Sequence, residues 1–383
     1  MTKIRVGVMF GGRSGEHEVS LASAASVLEG LRGLEGYEVL PIGISPEGRW
    51  ICRPDALDLL NASAAFRLPG TDDGSAAAAA AAQSDAAQSA DPAQAGGLTS
   101  AAGALEPRVP EQLDVVFPVV HGPTGEDGVL QGMLETFGIP YVGCGVAASA
   151  VCMDKHLTKT VLRGAGLPVV DWMVVRAAEW EAGPEPVLQR LEALGNQVFV
   201  KPANMGSSVG ISRATDAESL RAGIDEALRY DRLVLVEKGV DAREIEISVL
   251  GNDIPEASVP GEIIPERDFY DYRAKYLEDS SRLVIPAELD PGQTAELQSL
   301  AVEAFKAVGG SGMARVDFLL DRQSGRIDLN EINTIPGFTS ISMYAKLWEA
   351  SGVSYGELLD RLVRLALERH RNRAGLSVRY TPD

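Results

Sequence analysis

Apolar runs of strand length alternate with helical apolar spacings along the first part of the chain. Ile4–Phe10 is one such run, and it ends in the turn Gly11-Gly12-Arg13-Ser14-Gly15. Val19, Ala22, Ala25 and Leu28 then recur at helical spacing, and Val39–Ile44 and Val115–Val120 read as further strands. Asp127 stands where it can cap a helix whose Val129, Leu130, Met133, Leu134 and Phe137 form one apolar stripe, stopped by Gly138. Strands alternating with helices predict a parallel, doubly wound (Rossmann-like) α/β unit over 1–148.

Residues 71–106 break the pattern. They are rich in Ala, Ser, Gln, Asp and Gly, with Leu98 and Leu105 as the large apolar residues, and they predict a surface insertion without a part in chemistry. From Asp154, which can cap a helix, the pattern becomes α+β. Pro184 opens a helix ending at Gly195, and Val198–Val200 is a strand running into Lys201. Thr215 and Glu218 have capping-box spacing for a helix bearing Leu220, Ile224 and Leu228. Strands LVLVEKGV and EIEISVLG follow, then a polar, aromatic loop (ERDFYDYRAKYLED), a helix over Ala295–Val308, a hairpin, and a last helix from Tyr355 to about Glu368 with Leu358, Leu359, Leu362 and Leu365 on one side. The expected divisions are a central unit, 149–232, and a C-terminal unit, 233–383.

At 383 residues there is room for two or three domains with ample cores. The net charge of −19 argues against nucleic acid or an anionic membrane as partner, although local lysines and a metal can invert the field inside a cleft. Cys52, Cys144 and Cys152 make no C-x-x-C pair and no disulfide framework. No segment has the apolar length of a membrane helix, and MTKIRVGVMF is too short in apolar length for a signal peptide. A cytoplasmic protein is expected.

Three stretches carry candidate chemistry. In the predicted hairpin, Val316–Leu320 and Ile327–Ile332 flank a turn-forming segment. Glu331 and Asn333 leave one strand face, and Asp317 can point into the same space. Oxygen ligands meeting among apolar residues suit a hard divalent cation, since Mg²⁺ takes one or two carboxylates plus substrate phosphates. Equally, Asp317 and Glu331 can be partners for basic side chains on a sheet face. The loop Asn204–Gly210 (NMGSSVG) follows Lys201, and small residues there let backbone N–H groups close on phosphate oxygens, or simply make a turn; it is not a Walker A loop. The strand end at Glu237, Lys238 and Val240 offers a peptide edge to an adenine, or only reaches solvent. Glu244 can take ribose hydroxyls or be surface charge.

Lys155, Lys201, the Gly/Ser loop, the Glu237–Val240 edge and the Asp317/Glu331/Asn333 hairpin, in that order, resemble the ATP-grasp superfamily. GGRSGEHEVS (11–20), HGPTGEDG (121–128), KPANMGSSVG (201–210), FYDYRAKY (269–276), RVDFLLD (315–321) and NEINTIPGFTSIS (330–342) bring the resemblance to the D-alanine–D-alanine ligases, over nearly the whole chain outside the Ala-rich insertion. It implies an N-terminal parallel-sheet domain followed by a two-subdomain ATP-grasp fold, and the ligation of two D-alanines through an acyl phosphate. Asp317, Glu331 and Asn333 would hold two Mg²⁺ ions, with Mn²⁺ as a substitute. Lys155, Lys201 and Lys275 would contact phosphates, with Ser207 and Ser208 in the closing loop; Glu237, Lys238, Val240 and Glu244 would frame adenine and ribose. Glu16 would receive the first D-alanine's ammonium and join Ser207 and Tyr276 in a lid-closing triad. Arg315 and the Gly337 amide would form the oxyanion site, Ser342 would bind the second carboxylate, and His121 would have a positioning role beside the substrate. A homodimer is also implied. Tyr276 favours a dipeptide over a depsipeptide product. An ATP sensor of this fold would have lost a metal ligand, Arg315 or the triad, and a kinase leaves Glu16 and Ser342 without a role.

Overall fold

The computed structural model describes residues 3–65, 113–265, 281–339 and 342–377. The expected insertion (71–106), Lys275 and Tyr276 lie outside them.

The first unit comprises β1 (Ile4–Gly11), α1 (His17–Arg32), β2 (Tyr37–Ile44), β3 (Trp50–Ile51), α2 (Ala56–Ala65), β4 (Val115–Pro118) and α3 (Val129–Thr136). The sheet order is β3-β2-β1-β4, with β1 parallel to both β2 and β4, as the alternating pattern predicts. The short β3 is antiparallel to β2 and makes the edge. The buried face of α1 differs from the predicted stripe. Leu21, Ala24, Val27, Leu28 and Leu31 face the sheet, while Ala22 and Ala25 are exposed. The bulkier residues gain more by leaving water, and two serines follow them inside because their hydroxyls find partners. Ser20 takes a bond from the Gly11 amide (2.7 Å), and Ser23 joins a network described below. The stripe on α3 is also narrower than predicted. Leu130 and Leu134 are buried with Gln131, whose amide bonds the Gly125 carbonyl at 2.8 Å, whereas Val129 and Phe137 are exposed.

Next come α4 (Val146–Met153), α5 (Lys155–Gly164, capped by Asp154), β5 (Trp172–Arg176), α6 (Ala177–Ala182), α7 (Pro184–Leu191), β6 (Val198–Pro202), β7 (Ser212–Ala214), α8 (Ala217–Ala227) and β8 (Leu233–Lys238). The capping box of α8 lies one residue beyond the predicted pair: Asp216 accepts from the Ser219 amide (2.7 Å), and Ser219 accepts from the Asp216 amide (3.2 Å). β5, β8, β6 and β7 form an antiparallel sheet in that order. The expected division at 232/233 therefore falls directly before a strand of the central sheet, and that at 148/149 falls inside α4. α4 and α5 contribute Ala148, Cys152 and Leu162 to the core of the C-terminal unit.

That last unit holds β9 (Ala242–Gly251), β10 (Glu256–Ala257), β11 (Gly261–Pro265), β12 (Ser281–Val284), α9 (Pro291–Ala307), β13 (Gly312–Asp321), β14 (Ile327–Asn333), α10 (Met343–Ala350) and α11 (Tyr355–Ala374). Its antiparallel sheet runs β12-β11-β9-β13-β14, with β10 on β9. α11 leaves this unit and packs on α1. Its Leu358, Leu359, Leu362 and Val363 share a core with Val6, Val8, Val27 and Leu31, and Tyr37 donates to Asp360 at 2.6 Å across 323 residues.

Candidate active site

The hairpin forms as the sequence predicts. Asp321 closes its turn by accepting from the Gln323 and Ser324 amides at 3.0 and 2.7 Å. Asp317 pairs with Glu331 and Arg315 with Asn333, but the register shifts between Asp317 and Phe318, where β14 accommodates one extra residue, Asn330. This bulge lets Asn330 turn toward Lys201 (3.4 Å) while Glu331 still faces Asp317. Of the two alternatives for the acidic pair, the basic partner is present. Arg315 grips Asp317 with two hydrogen bonds of 2.8 and 2.7 Å and reaches Glu246, opposite Asp317 on β9, at 3.0 Å. Burial works against that guanidinium charge, but Asp317 and Glu246 outweigh it and hold its pKa well above the ordinary value. Asn333 donates to Asp317 at 3.0 Å. Among the described residues no three His, Cys, Asp or Glu side chains form a ready-made metal cage. Two carboxylates and an amide oxygen nonetheless suit Mg²⁺, which completes its octahedron with phosphate oxygens and water.

Lys201 ends β6, and the Gly/Ser loop that follows folds over the turn after β1. Ser207 donates to a Glu16 carboxylate oxygen, and Lys155 donates to the Met205 carbonyl. Ser207 and Ser208 take positive φ angles of 50° and 59°, which is uncommon for residues with side chains and typical of functional loops. Two glycines make room for Glu16. A Cβ at Gly206 would stand 2.8 Å from its Oε2, and one at Gly122 would stand 2.7 Å from it. Glu16 is thus held between the first unit and the central unit.

Glu237, at the end of β8, is buried against two lysines, with Lys201 at 2.6 Å and Lys159 at 3.3 Å. Burial alone would raise its pKa, but Lys159 and then Lys201 draw it down to about 2. Beyond it Lys238 is exposed, its amide bonding Asp171 (2.9 Å), and Val240 is half-buried. Glu244 lies exposed on β9, two residues before Glu246 and hence on the same face.

His121 is buried after β4 and has both ring nitrogens engaged. Its Nδ1 lies 3.1 Å from the Ile335 carbonyl, so that nitrogen carries the proton, and Nε2 accepts from Ser23 at 3.0 Å. Ser23 in turn accepts from the Phe338 amide (3.2 Å). Burial pushes the His121 pKa down to about 4. His121 therefore fastens the segment bearing Gly337 to α1. Glu126 adds a second fastening, accepting from the Gly122 amide at 2.7 Å and the Ile335 amide at 3.2 Å. Burial first, and Glu16 second, raise its pKa to about 8. Gly337 sits against Ser342, whose hydroxyl meets a Cβ placed there at 3.0 Å and takes the Thr339 amide at 2.9 Å.

Sequence patterns single out neither Glu126, Glu246 nor Lys159. Glu126 lies inside HGPTGEDG, and Glu246 stands two residues after Glu244, the alternation that puts both on one strand face. Lys159 follows Lys155 by four residues, a helical turn. None of these positions announces burial.

Two antiparallel-sheet units whose facing elements bring together lysines, a Gly/Ser loop and an acidic hairpin define an ATP-grasp protein. The family model described as "D-ala D-ala ligase N-terminus" matches residues 5–144, and that described as "D-ala D-ala ligase C-terminus" matches residues 161–364. A D-alanine–D-alanine ligase of Heliobacterium modesticaldum is 48% identical over 97% of both chains. The structure of the D-alanine–D-alanine ligase from Coxiella burnetii superposes with a TM-score of 0.77 at 38% identity, covering 98% of this chain and 97% of that one. The VanG D-Ala:D-Ser ligase from Enterococcus faecalis gives 0.76 at 34% identity, covering 95% and 100%. This chain belongs to the D-alanine–D-alanine ligase family.

Proposed function

We propose that this chain joins two D-alanines at the expense of ATP, releasing ADP and phosphate, in the cytoplasm and for peptidoglycan precursor synthesis. The observation that carries the proposal is the contact of Ser207 with Glu16, linked to the hairpin through buried Glu126, which is close enough to feel both Glu16 and Glu331. This supports reading Glu16 as an ammonium receptor, the Gly/Ser loop as a closing loop and the hairpin as a phosphate-handling strand pair of one site. A carboxylate is a poor acyl donor. Its oxygen first attacks the γ-phosphorus, ADP leaves, and a D-alanyl phosphate results. The second amine attacks that carbonyl, loses its proton, and the bond to phosphate breaks.

In this reading Glu16 takes the first ammonium, and Ser207, Ser208 and Tyr276 close over the acyl phosphate to exclude water. Lys155, Lys201 and Lys275 hold phosphates, while the Glu237–Val240 edge and Glu244 take adenosine. Arg315 and the Gly337 amide receive the developing oxyanion, and Ser342 receives the second carboxylate. His121 acts through the Gly337 segment, since its ring nitrogens are spoken for. Asp317, Glu331 and Asn333 would bind two Mg²⁺ ions, replaceable by Mn²⁺, which supply charge neutralisation at the phosphates. The chain works as a homodimer of three-unit subunits.

The test is ADP and phosphate release with Mg-ATP and D-alanine, with products identified by mass spectrometry. D-Ala–D-Ala formed in step with ADP is the expected result; nucleotide binding without D-alanine-dependent turnover would sink the proposal. The likeness to a D-Ala:D-Ser ligase makes D-serine, with D-lactate as a further competitor, the informative alternative second substrate.

A further inference from the structure

Lys159 is almost completely enclosed, with 1% of its side chain exposed, and the roles assigned above leave it none. It lies one helical turn after Lys155 on α5, and its Nζ is 3.3 Å from Glu237 Oε1. The other Glu237 oxygen accepts from Lys201 at 2.6 Å. One carboxylate is therefore flanked by two cations that differ in access, since Lys201 remains 14% exposed and Lys159 only 1%. Trp172, paired with Glu237 across β5 and β8, walls in the deeper cation at 6.0 Å from its ring centroid. Buried Asp328 is near enough to favour the Lys159 charge, which burial opposes.

A lone Lys201–Glu237 pair would be neutral and closed on itself. Turning Lys201 toward a phosphate would strand Glu237 as an uncompensated buried carboxylate, which is strongly unfavourable. The second cation removes that obstacle. Resting on the nucleotide site proposed above, we infer that Lys159 is a positioning residue that keeps Glu237 compensated, freeing Lys201 to engage a nucleotide phosphate. Lys159 itself touches no part of the nucleotide.

The experiment is calorimetric titration of the full chain with ADP, and with adenosine by displacement, for wild type, Lys159→Met, Glu237→Gln and the double variant, each checked for a cooperative thermal transition. Lys159→Met should weaken ADP about 10-fold or more while adenosine changes less than about twofold, because the loss acts on phosphate. Removing the stranded charge should cancel the effect, so Lys159→Met should cost far less ADP affinity in the Glu237→Gln background than in the wild type, a comparison that holds whatever Glu237→Gln itself does to adenosine binding. Unchanged ADP affinity, equal losses for ADP and adenosine, or the same Lys159→Met loss in both backgrounds would each overturn the inference. Should Lys159→Met not fold, Lys159→Arg carries the test: it keeps the charge and should keep ADP affinity within about threefold, and a large phosphate-specific loss would count against a charge-based role. A wild-type chain that ignores ADP would remove the nucleotide site, and the role of Lys159 with it.

Discussion

Single residues here act mostly through charge placed among apolar neighbours. Glu331 faces Asp317 across the hairpin, so Glu331→Gln should lower kcat on the order of 100-fold or more by weakening metal binding; wild-type turnover would remove the metal role. His121 makes a pH prediction. Its folded pKa of about 4 lies below the unfolded value of 6.5, so the unfolded chain binds the extra proton first as pH falls. Its contribution is complete above pH 6.5 and is lost between 6.5 and 4, up to roughly 3 kcal/mol. Glu126, raised to about 8, shifts stability the opposite way over that window, so the test is the difference: between pH 6.5 and 4 the unfolding midpoint of the wild type should lose ground relative to that of His121→Gln. Residue chemistry was only partly legible in the sequence. Asp317, Glu331 and Asn333 are visible because strand alternation and a Gly-containing turn fix their face. Glu126 and Lys159 are not, because burial of a charge depends on which distant elements cover it.

Elements were legible where the pattern was local. β1, β6 and the hairpin fall where apolar runs and turns put them, and Asp154 caps α5 as expected. Helix faces were less so. The Ala-rich stripe on α1 lost to larger residues, and the extra residue in β14 leaves no mark in an otherwise alternating strand. Strand pairing is equally hidden: β8, directly after 232/233, looks like the start of something new, yet it pairs between β5 and β6. The Gly/Ser loop offers a test at this scale. Gly206 lies outside the left-handed region, so alanine costs little in backbone, but its Cβ would meet the Glu16 carboxylate at 2.8 Å. Gly206→Ala should therefore raise the KM for D-alanine roughly tenfold by holding the loop off Glu16, with little change in thermal stability. Unchanged steady-state kinetics would mean that the closed contact is not the working one.

At the scale of the whole molecule, the units are interlocked rather than strung in sequence. The core beneath α1 is completed by Leu358, Leu359, Leu362 and Val363 of α11, so Leu362→Ala should destabilise the protein by about 2–5 kcal/mol, measured by denaturant unfolding. By the same packing, a fragment ending at residue 148 should lack a cooperative thermal transition, whereas adding the α11 segment in trans should restore one. During translation this arrangement imposes an order of events. Of the three described sheets, the first to be synthesised carries an open apolar face whose cover is encoded 323 residues further on, at the distance that separates Tyr37 from Asp360. Until that helix emerges, the nascent chain presents a sticky surface of the sort that holdase chaperones shield. Assembly of the first domain thus waits for α11, and a product terminated before that helix carries the face uncovered.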